Sequence, residues 1–191
     1  AATSGTYQTD EVLNMVDWIN VMAYDGDGGA GHSPYSLLTN SFNYWNSTRK
    51  VDASKIVLGV PFYERPNWAS YADVVANNSA NAYKDSAVIN GTTVYYNGLD
   101  TMAKKATFAA QNAGGIMIWE ISQDSKNATY SQFDYTLDMA NLLENYKPYY
   151  ELCGAGSRKM CVELRYKPLV EIERVFETCL LYTSPSPRDC S

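Results

Sequence analysis

Three segments of the chain are almost continuously apolar and rich in branched and aromatic side chains. They are VDWINVMAY at 16–24, KIVLGVPF at 55–62, and Ile116–Ile121. Runs of this length and composition are typical of strands buried on both faces, as in a parallel sheet. The pattern therefore predicts three buried strands.

Segments with a helical spacing of apolar residues lie between and after these strands. The predicted helices are Ser36–Asn46, Trp68–Ala76, Leu99–Asn112 and Gln132–Tyr146, and a hairpin turning on Asn90-Gly91 is predicted at Val88–Tyr96. Buried strands that alternate with helices favour βα units around a parallel sheet. We therefore predict an α/β fold with a small insertion after the second strand.

Polar and aromatic residues concentrate where the three strands end. The first strand ends in Tyr24-Asp25, the second in Tyr63 and the third in Trp119-Glu120. Because the site of a parallel βα fold lies at the carboxyl ends of its strands, we expect these side chains to share one site. An indole ring offers a flat apolar face to a pyranose, while carboxylates and hydroxyls fix the sugar hydroxyls. Composition alone leaves core packing open for Trp119 and turn formation open for Asp25.

Taken together, the three blocks resemble one family of enzymes. DWINVMAYD is similar to the sixth barrel strand of glycoside hydrolase family 18, with its Met-x-Tyr-Asp ending, KIVLGVPFY is similar to the seventh, and GGIMIWEISQD to the eighth. The resemblance covers about Tyr7–Tyr146, and three blocks in order are more specific than any one of them. It implies a partial (β/α)8 TIM barrel that comprises the last three strands with their helices.

The resemblance also implies roles for the residues at the strand ends. Hydrolysis in the family is substrate-assisted, so the N-acetyl carbonyl of the sugar attacks its own anomeric carbon and no enzyme nucleophile is needed. Tyr24 would donate a hydrogen bond to that carbonyl and Asp25 would bind sugar hydroxyls, which makes them the catalytic pair. Met22, for which core packing is the alternative, would line the pocket below the acetamido group. Trp119 would form the floor under the sugar.

By the same resemblance, Tyr63 and Glu120 are further candidates for substrate binding at the rim. Glu64 stands where relatives often carry Gly, so the chain departs from the family pattern beside the site.

A larger departure concerns the general acid, which is the Glu of an Asp-x-x-Asp-x-Asp-x-Glu run on the fourth strand. No such run occurs in the 191 residues, which we attribute to truncation. Because the leaving oxygen must be protonated by a carboxylic acid with a raised pKa, we expect the chain alone to be inactive.

Three functions remain open for the full-length protein. The first is hydrolysis of β-1,4-linked N-acetylglucosamine glycans, such as chitin, by substrate-assisted retaining catalysis. The second is a non-catalytic, lectin-like chitin-binding protein in which the acid is replaced, and the third is hydrolysis of peptidoglycan or N-glycan cores. In each case the resemblance implies a monomeric, secreted protein whose partner is an N-acetylglucosamine-containing glycan.

The net charge of −6 narrows the range of other partners. Residues 1–150 hold 9 Lys and Arg against 15 Asp and Glu, so nucleic acid and membrane surfaces, which favour basic patches, are unexpected partners. The run Asp25-Gly26-Asp27-Gly28 opens like a calcium loop, but Ser36 stands where that loop requires a Glu. We expect no metal or other cofactor. We expect His32, the single histidine, to be exposed in its loop.

The chain changes character near residue 150. All 4 cysteines follow Tyr150, and all 4 tryptophans precede it. The segment CLLYTSPSPRD at 179–189 closely resembles the conceptual translation of a transposase-type sequencing adaptor, with a native Ser/Pro-rich linker as the alternative. We therefore predict a barrel segment at 1–150, a segment at 151–178 for which a native and an out-of-frame origin both remain open, and adaptor-derived sequence at 179–191.

Overall fold

The computed structural model describes residue 5 and residues 7–133 with their side chains, and the backbone of 146–153 and 161–168. Its strands are β1 (Ile19–Val21), β2 (Ile56–Pro61), β3 (Ser86–Ile89), β4 (Thr92–Tyr95), β5 (Gly115–Trp119), β6 (Tyr146–Cys153) and β7 (Cys161–Pro168). They form a five-stranded sheet in the order β1-β2-β5-β7-β6 and a separate hairpin of β3 and β4. The fold is therefore mixed α/β.

Strands β1, β2 and β5 are parallel, as the sequence predicts. Ile19 lies opposite Ile56, and Leu58 lies opposite Ile116. Every residue of β2 is buried because the strand has a parallel neighbour on each side and is covered on both faces. Strand β1 is shorter than the predicted segment, since the chain from Met22 onward passes beyond the last residue paired with β2.

Four complete α-helices lie in the described ranges. They are α1 (Asp10–Met15), α2 (Tyr35–Asn43), α3 (Tyr71–Asn77) and α4 (Leu99–Asn112). Helix α1 was not predicted, and α2 is followed by one π-helical turn at 44–48. Ser70 caps helix α3 and forms a capping box with Asp73, so the helix starts at Tyr71, three residues later than its predicted bound. Helix α4 has the bounds that its apolar spacing predicts.

Helices α2 and α4 pack on one face of the parallel sheet and bury the principal core there. Leu38 and Phe42 from α2 and Met102 from α4 lie in one buried cluster with the sheet residues Leu58 and Ile116. Burial of each such side chain contributes about 1.5–3 kcal/mol. This face therefore holds the helices on the sheet.

The opposite face of the sheet is lined by aromatic residues. Val57 and Met117 are buried there, and the partly buried rings of Trp18, Tyr24 and Trp119 pack against them. Two of these rings come from strand ends that the sequence assigns to a site. This face of the sheet therefore carries part of the candidate site.

The predicted hairpin is confirmed as β3 and β4, which pair with Ile89 opposite Thr92. Asn90 and Gly91 both have positive φ, at 50° and 79°, as a two-residue type I′ turn requires. The hairpin has its own small core with α3 and the start of α4, and it joins the rest of the molecule through backbone hydrogen bonds between Arg65 and Tyr95.

Strands β6 and β7 pair antiparallel with each other, and β7 pairs antiparallel with β5. They extend the sheet beyond the three strands that were predicted, and most of their residues fall in the segment of uncertain origin. Of the predicted helix Gln132–Tyr146, its first two residues are helical, Tyr146 instead begins β6, and 134–145 lie outside the described residues. No helix of the described ranges has both the length and the apolarity that crossing a bilayer requires.

Candidate functional site

The carboxyl ends of β1, β2 and β5 meet around a cavity of ≈ 290 Å³. Its lining contains four aromatic residues and few polar groups: Met22, Tyr24, Asp25, Tyr63, Trp68, Trp119 and Gln123. Five of the six predicted site residues are in this lining, and Glu120 is not. Apolar cavities with a few convergent polar groups are typical of small-molecule sites. The structure thus brings together the residues that follow three separate strands.

A hydrogen bond between Tyr63 and Asp25 fixes the polar wall of the cavity. The Tyr63 hydroxyl donates to Asp25 Oδ2 at 2.7 Å. Burial, and after it the bond to the Asp25 carboxylate, raises the pKa of Tyr63 above its ordinary value, so the phenol keeps its proton and remains a donor. Asp25 has a φ of 56°, a left-handed conformation that Asp tolerates better than most residues. The carboxylate therefore sits at a turn and accepts a hydrogen bond from the segment that follows β2.

His32 is not exposed, which corrects the expectation from its loop position. The residue is 1% exposed, and its Nδ1 lies 3.2 Å from Asp25 Oδ1. Its Nε2 lies 3.3 Å from the carbonyl oxygen of Tyr63. Burial lowers the pKa of His32, and the Tyr63 carbonyl and the Asp25 charge oppose that shift. The loop after β1 folds back because the Gly26 amide donates a hydrogen bond to the His32 carbonyl oxygen. Residue composition does not predict this loop closure.

Tyr24, Met22 and Trp119 form the aromatic and apolar part of the cavity. The Tyr24 ring meets the Tyr63 ring edge to face, with centroids 6.3 Å apart. Met22 is 48% exposed, so it is a lining residue and not part of the core. Trp119 ends β5, and its carbonyl oxygen accepts a hydrogen bond from the Phe62 amide at 2.8 Å, which ties two strand ends together.

Glu120 follows Trp119 directly but does not line the cavity. It is 7% exposed, its Oε1 accepts a hydrogen bond from the Ser122 hydroxyl at 2.6 Å, and its Oε2 has no hydrogen-bond partner among the described residues. The peptide bond between Trp119 and Glu120 is cis. The carboxylate therefore lies close to the site in sequence without lining it.

Trp68 lines the cavity and was not predicted. It is 56% exposed, its ring stacks on Tyr63 with centroids 5.5 Å apart, and the Arg65 guanidinium lies 3.6 Å from the ring centroid. Glu64, the departure from the family pattern, is buried and supports this loop, since it accepts hydrogen bonds from the backbone amides of Asn67 and Ala69. The position of Trp68 in the loop after β2 was the signal in the sequence that could have identified it.

A buried lysine forms hydrogen bonds with the loop after β1. Lys105 on α4 donates to the Ser33 carbonyl oxygen, the Ser33 hydroxyl and Asn97 Oδ1, each at 2.7 Å. Burial lowers its pKa to about 7. His32 and Ser33 also border a second cavity of ≈ 430 Å³ next to this loop. Lys105 therefore stabilises the loop through which His32 reaches Asp25.

No group of three or more His, Cys, Asp or Glu side chains in the described part of the chain could hold a metal ion. The Asp27 carboxylate, which opens the calcium-like run, instead accepts hydrogen bonds from the amides of Gly29 and Gly31. These bonds form a local turn, so the run is accounted for by loop structure.

Comparison with known proteins identifies the family whose model this chain matches. The model of the glycosyl hydrolases family 18 matches residues 1–124. A family 18 chitinase from the chitin utilization locus of Flavobacterium johnsoniae is 31% identical, with a TM-score of 0.64 over 72% of this chain and 47% of its own. A chitinase from Bacteroides thetaiotaomicron is 26% identical, with a TM-score of 0.60 over 69% and 47%.

A class V chitinase from Nicotiana tobaccum, solved in complex with NAG4, shares the fold at 17% identity, with a TM-score of 0.55 over 70% of this chain and 51% of its own. No curated protein sequence matches the chain significantly. The chain spans about half the length of the chitinase structures that it matches.

Proposed function

The chain belongs to glycosyl hydrolases family 18, and from this membership we propose that its strand-end cavity binds N-acetylglucosamine units of a β-1,4-linked glycan such as chitin. The observation that carries the proposal is the convergence of Tyr24, Asp25, Tyr63 and Trp119 on one cavity of ≈ 290 Å³. That volume is of the size of a small-molecule site, so the cavity suits one sugar unit of a chain.

The chemistry of the lining fits an N-acetylated sugar. The Trp119 indole offers an apolar face to the pyranose ring, and the half-exposed Met22 provides apolar contact for the acetamido methyl group. Tyr24 is a hydroxyl donor at the same wall and is the group that donates to the acetamido carbonyl. Asp25, held by Tyr63, accepts from sugar hydroxyls.

These contacts also suit substrate-assisted hydrolysis in the full-length protein. In that reaction the acetamido carbonyl oxygen attacks the anomeric carbon while the leaving oxygen takes a proton from a carboxylic acid. Tyr24 orients the carbonyl, Asp25 holds the sugar, and Trp119 supports the ring during its distortion. The acid is expected in an Asp-x-x-Asp-x-Asp-x-Glu run, which the 191 residues do not contain. We therefore propose that this chain binds the glycan and does not cleave it.

Calorimetric titration of the 191-residue chain tests the proposal. We expect chitotetraose to bind and cellotetraose, which lacks the acetamido groups, to bind at least about tenfold more weakly, a difference of ~1.4 kcal/mol. A chitobiose reporter incubated with the chain should show no turnover. Equal affinity for both tetrasaccharides would contradict the assignment of an acetamido pocket, and reporter turnover would contradict the proposed need for an acid outside this sequence.

A further inference from the structure

We propose that His32 is a positioning residue that holds the Asp25 carboxylate in the site through one proton shared by the pair. The backbone places the ring for this role. The Gly26 amide donates to the His32 carbonyl oxygen at 3.0 Å, and the His32 amide donates to the Gly29 carbonyl oxygen at 2.9 Å. The loop therefore returns to its own start and sets the imidazole beside the residue that precedes Gly26.

The two ring nitrogens face two different acceptors. Nε2 faces the Tyr63 carbonyl oxygen, which can only accept, so Nε2 must carry a hydrogen. A neutral imidazole has one N–H, and Nδ1 is then a bare lone pair facing Asp25 Oδ1 at 3.2 Å. In the described structure this contact has the distance of an ion pair without the alignment of a hydrogen bond. A proton between Nδ1 and Oδ1 converts the repulsive contact into an attractive one.

The burial of the ring and the charged groups around it set the pH at which that proton binds. Asp25 favours the imidazolium, whereas burial, the Arg65 guanidinium and the Lys105 ammonium oppose it, so the pKa of His32 lies below its ordinary value. Tyr63 does not supply the proton, because its own pKa is raised and its hydroxyl is bonded to the other carboxylate oxygen. The pair therefore gains its proton as the solution becomes acidic.

Protonation has a consequence for the site that rests on the proposed function. With the proton bound, Asp25 is held on one oxygen by Tyr63 and on the other by His32, in its left-handed conformation. Without it, the His32 lone pair repels the carboxylate, and that oxygen keeps only the longer ion pair with Arg65, whose Nη1 lies 3.8 Å away. Glycan affinity is therefore expected to be higher below the His32 midpoint than above it.

The single histidine makes the protonation step directly observable. Long-range proton–nitrogen NMR spectra of the nitrogen-labelled chain, from about pH 4 to about pH 8, give one imidazole spin system without assignment. At high pH we expect the neutral ring with hydrogen on Nε2, and a midpoint below that of an exposed histidine. In Asp25→Asn the midpoint should move to lower pH. In the matched control Asp27→Asn, whose side chain bonds loop amides and not the ring, it should stay in place.

Two results would overturn the proposal. One is hydrogen on Nδ1 of the neutral ring, and the other is an unchanged midpoint in Asp25→Asn. If that variant does not fold, the tautomer of the wild-type ring still decides the matter.

Glycan titrations then separate this proposal from the proposed function. Chitotetraose affinity should fall about tenfold above the midpoint in the wild type, and this pH dependence should vanish in His32→Gln, whose amide can donate to Asp25 at any pH. If the tautomer and the midpoints are as predicted but no glycan binds, the proposed function is refuted and the shared proton between His32 and Asp25 is still supported. Glycan binding whose pH dependence is the same in His32→Gln would refute the role of His32.

Discussion

The two ends of the parallel strands have different chemistry, although the same three strands supply both. At the amino ends two charged side chains are hydrogen-bonded: the Asp52 carboxylate accepts from the Ser54 amide and hydroxyl, and the Lys55 ammonium donates to the Val16 carbonyl oxygen. At the carboxyl ends, buried His32 Nδ1 and Glu120 Oε2 have no hydrogen-bond partner in the described part of the chain. The first arrangement stabilises a turn, whereas the second leaves two buried polar atoms without a hydrogen bond.

The cavities at the two ends show the same difference. Each has a volume of ≈ 290 Å³, and the amino-end cavity is lined by α1 and residues 49–55 without a single aromatic ring. The carboxyl-end cavity has Tyr24, Tyr63, Trp68 and Trp119 in its lining. Cavity volume therefore does not distinguish the site, whereas the kind of side chain around it does. Four substitutions or conditions test this contrast.

The largest effect is expected at the amino end and on stability. A Cβ on Gly114 would lie 2.0 Å from the Ser54 carbonyl oxygen, so Gly114→Ala must displace backbone and should cost about 3 kcal/mol of unfolding free energy, measured by urea titration. The control Gly29→Ala, whose Cβ would meet its nearest atoms at 3.7 Å and 3.9 Å, should cost far less. Folded Gly114→Ala should keep its chitotetraose affinity, and loss of that affinity would mean that the two ends are not separable.

The next effect is at the carboxyl end and on binding. Trp119→Ala removes the proposed floor of the sugar site and should weaken chitotetraose binding about a hundredfold, as expected for an aromatic residue that dominates a binding site. The control is Trp18→Ala, since Trp18 packs on the same sheet face before β1 and outside the cavity. Trp18→Ala should reduce stability and leave affinity within about twofold. Equal loss of affinity in both variants would argue that Trp119 acts through packing.

These contrasts also show what the sequence could and could not predict. The buried strands, the Asn90-Gly91 hairpin and helix α4 follow from local patterns, because apolar spacing and turn geometry are local properties. Asp25, Tyr63 and Trp119 were predicted to share a site since parallel strands bring their carboxyl ends to one edge. The burial of His32 could not be predicted, because it depends on a loop closure and on contacts with residues 31 or more positions away. Trp68 was missed for a different reason: it was assigned to a predicted helix, whereas α3 begins at Tyr71 and leaves Trp68 in the loop after β2.

A third effect is the pH dependence of stability that Lys105 imposes. Its pKa is lowered from 10.5 to about 7 in the folded protein, so between these values the unfolded chain binds a proton that the folded chain does not. Stability should therefore rise with pH, by on the order of 2 kcal/mol between about pH 7 and about pH 9. The free energy of unfolding in urea should lose this slope in Lys105→Met. An identical slope in that variant would assign the effect to another group.

The smallest effect concerns the loop that carries Trp68. Glu64→Ala removes the acceptor for two loop amides, so Trp68 loses part of its support and chitotetraose affinity should fall about fivefold, by ~1 kcal/mol. The exposed Glu11, far from the cavity lining in sequence and on α1, provides the control Glu11→Ala, which should not change affinity. An unchanged affinity in Glu64→Ala would show that Trp68 keeps its place without the carboxylate or does not contact the glycan.

The most direct test of the glycan site is a titration of the labelled 191-residue chain with chitotetraose, followed by backbone amide shifts. We predict that the perturbed amides cluster at the carboxyl ends of β1, β2 and β5, around Tyr24, Asp25, Tyr63 and Trp119, together with the imidazole signals of His32. Perturbations confined to the amino-end cavity around residues 49–55, or a folded chain with no perturbation at all, would contradict the assignment.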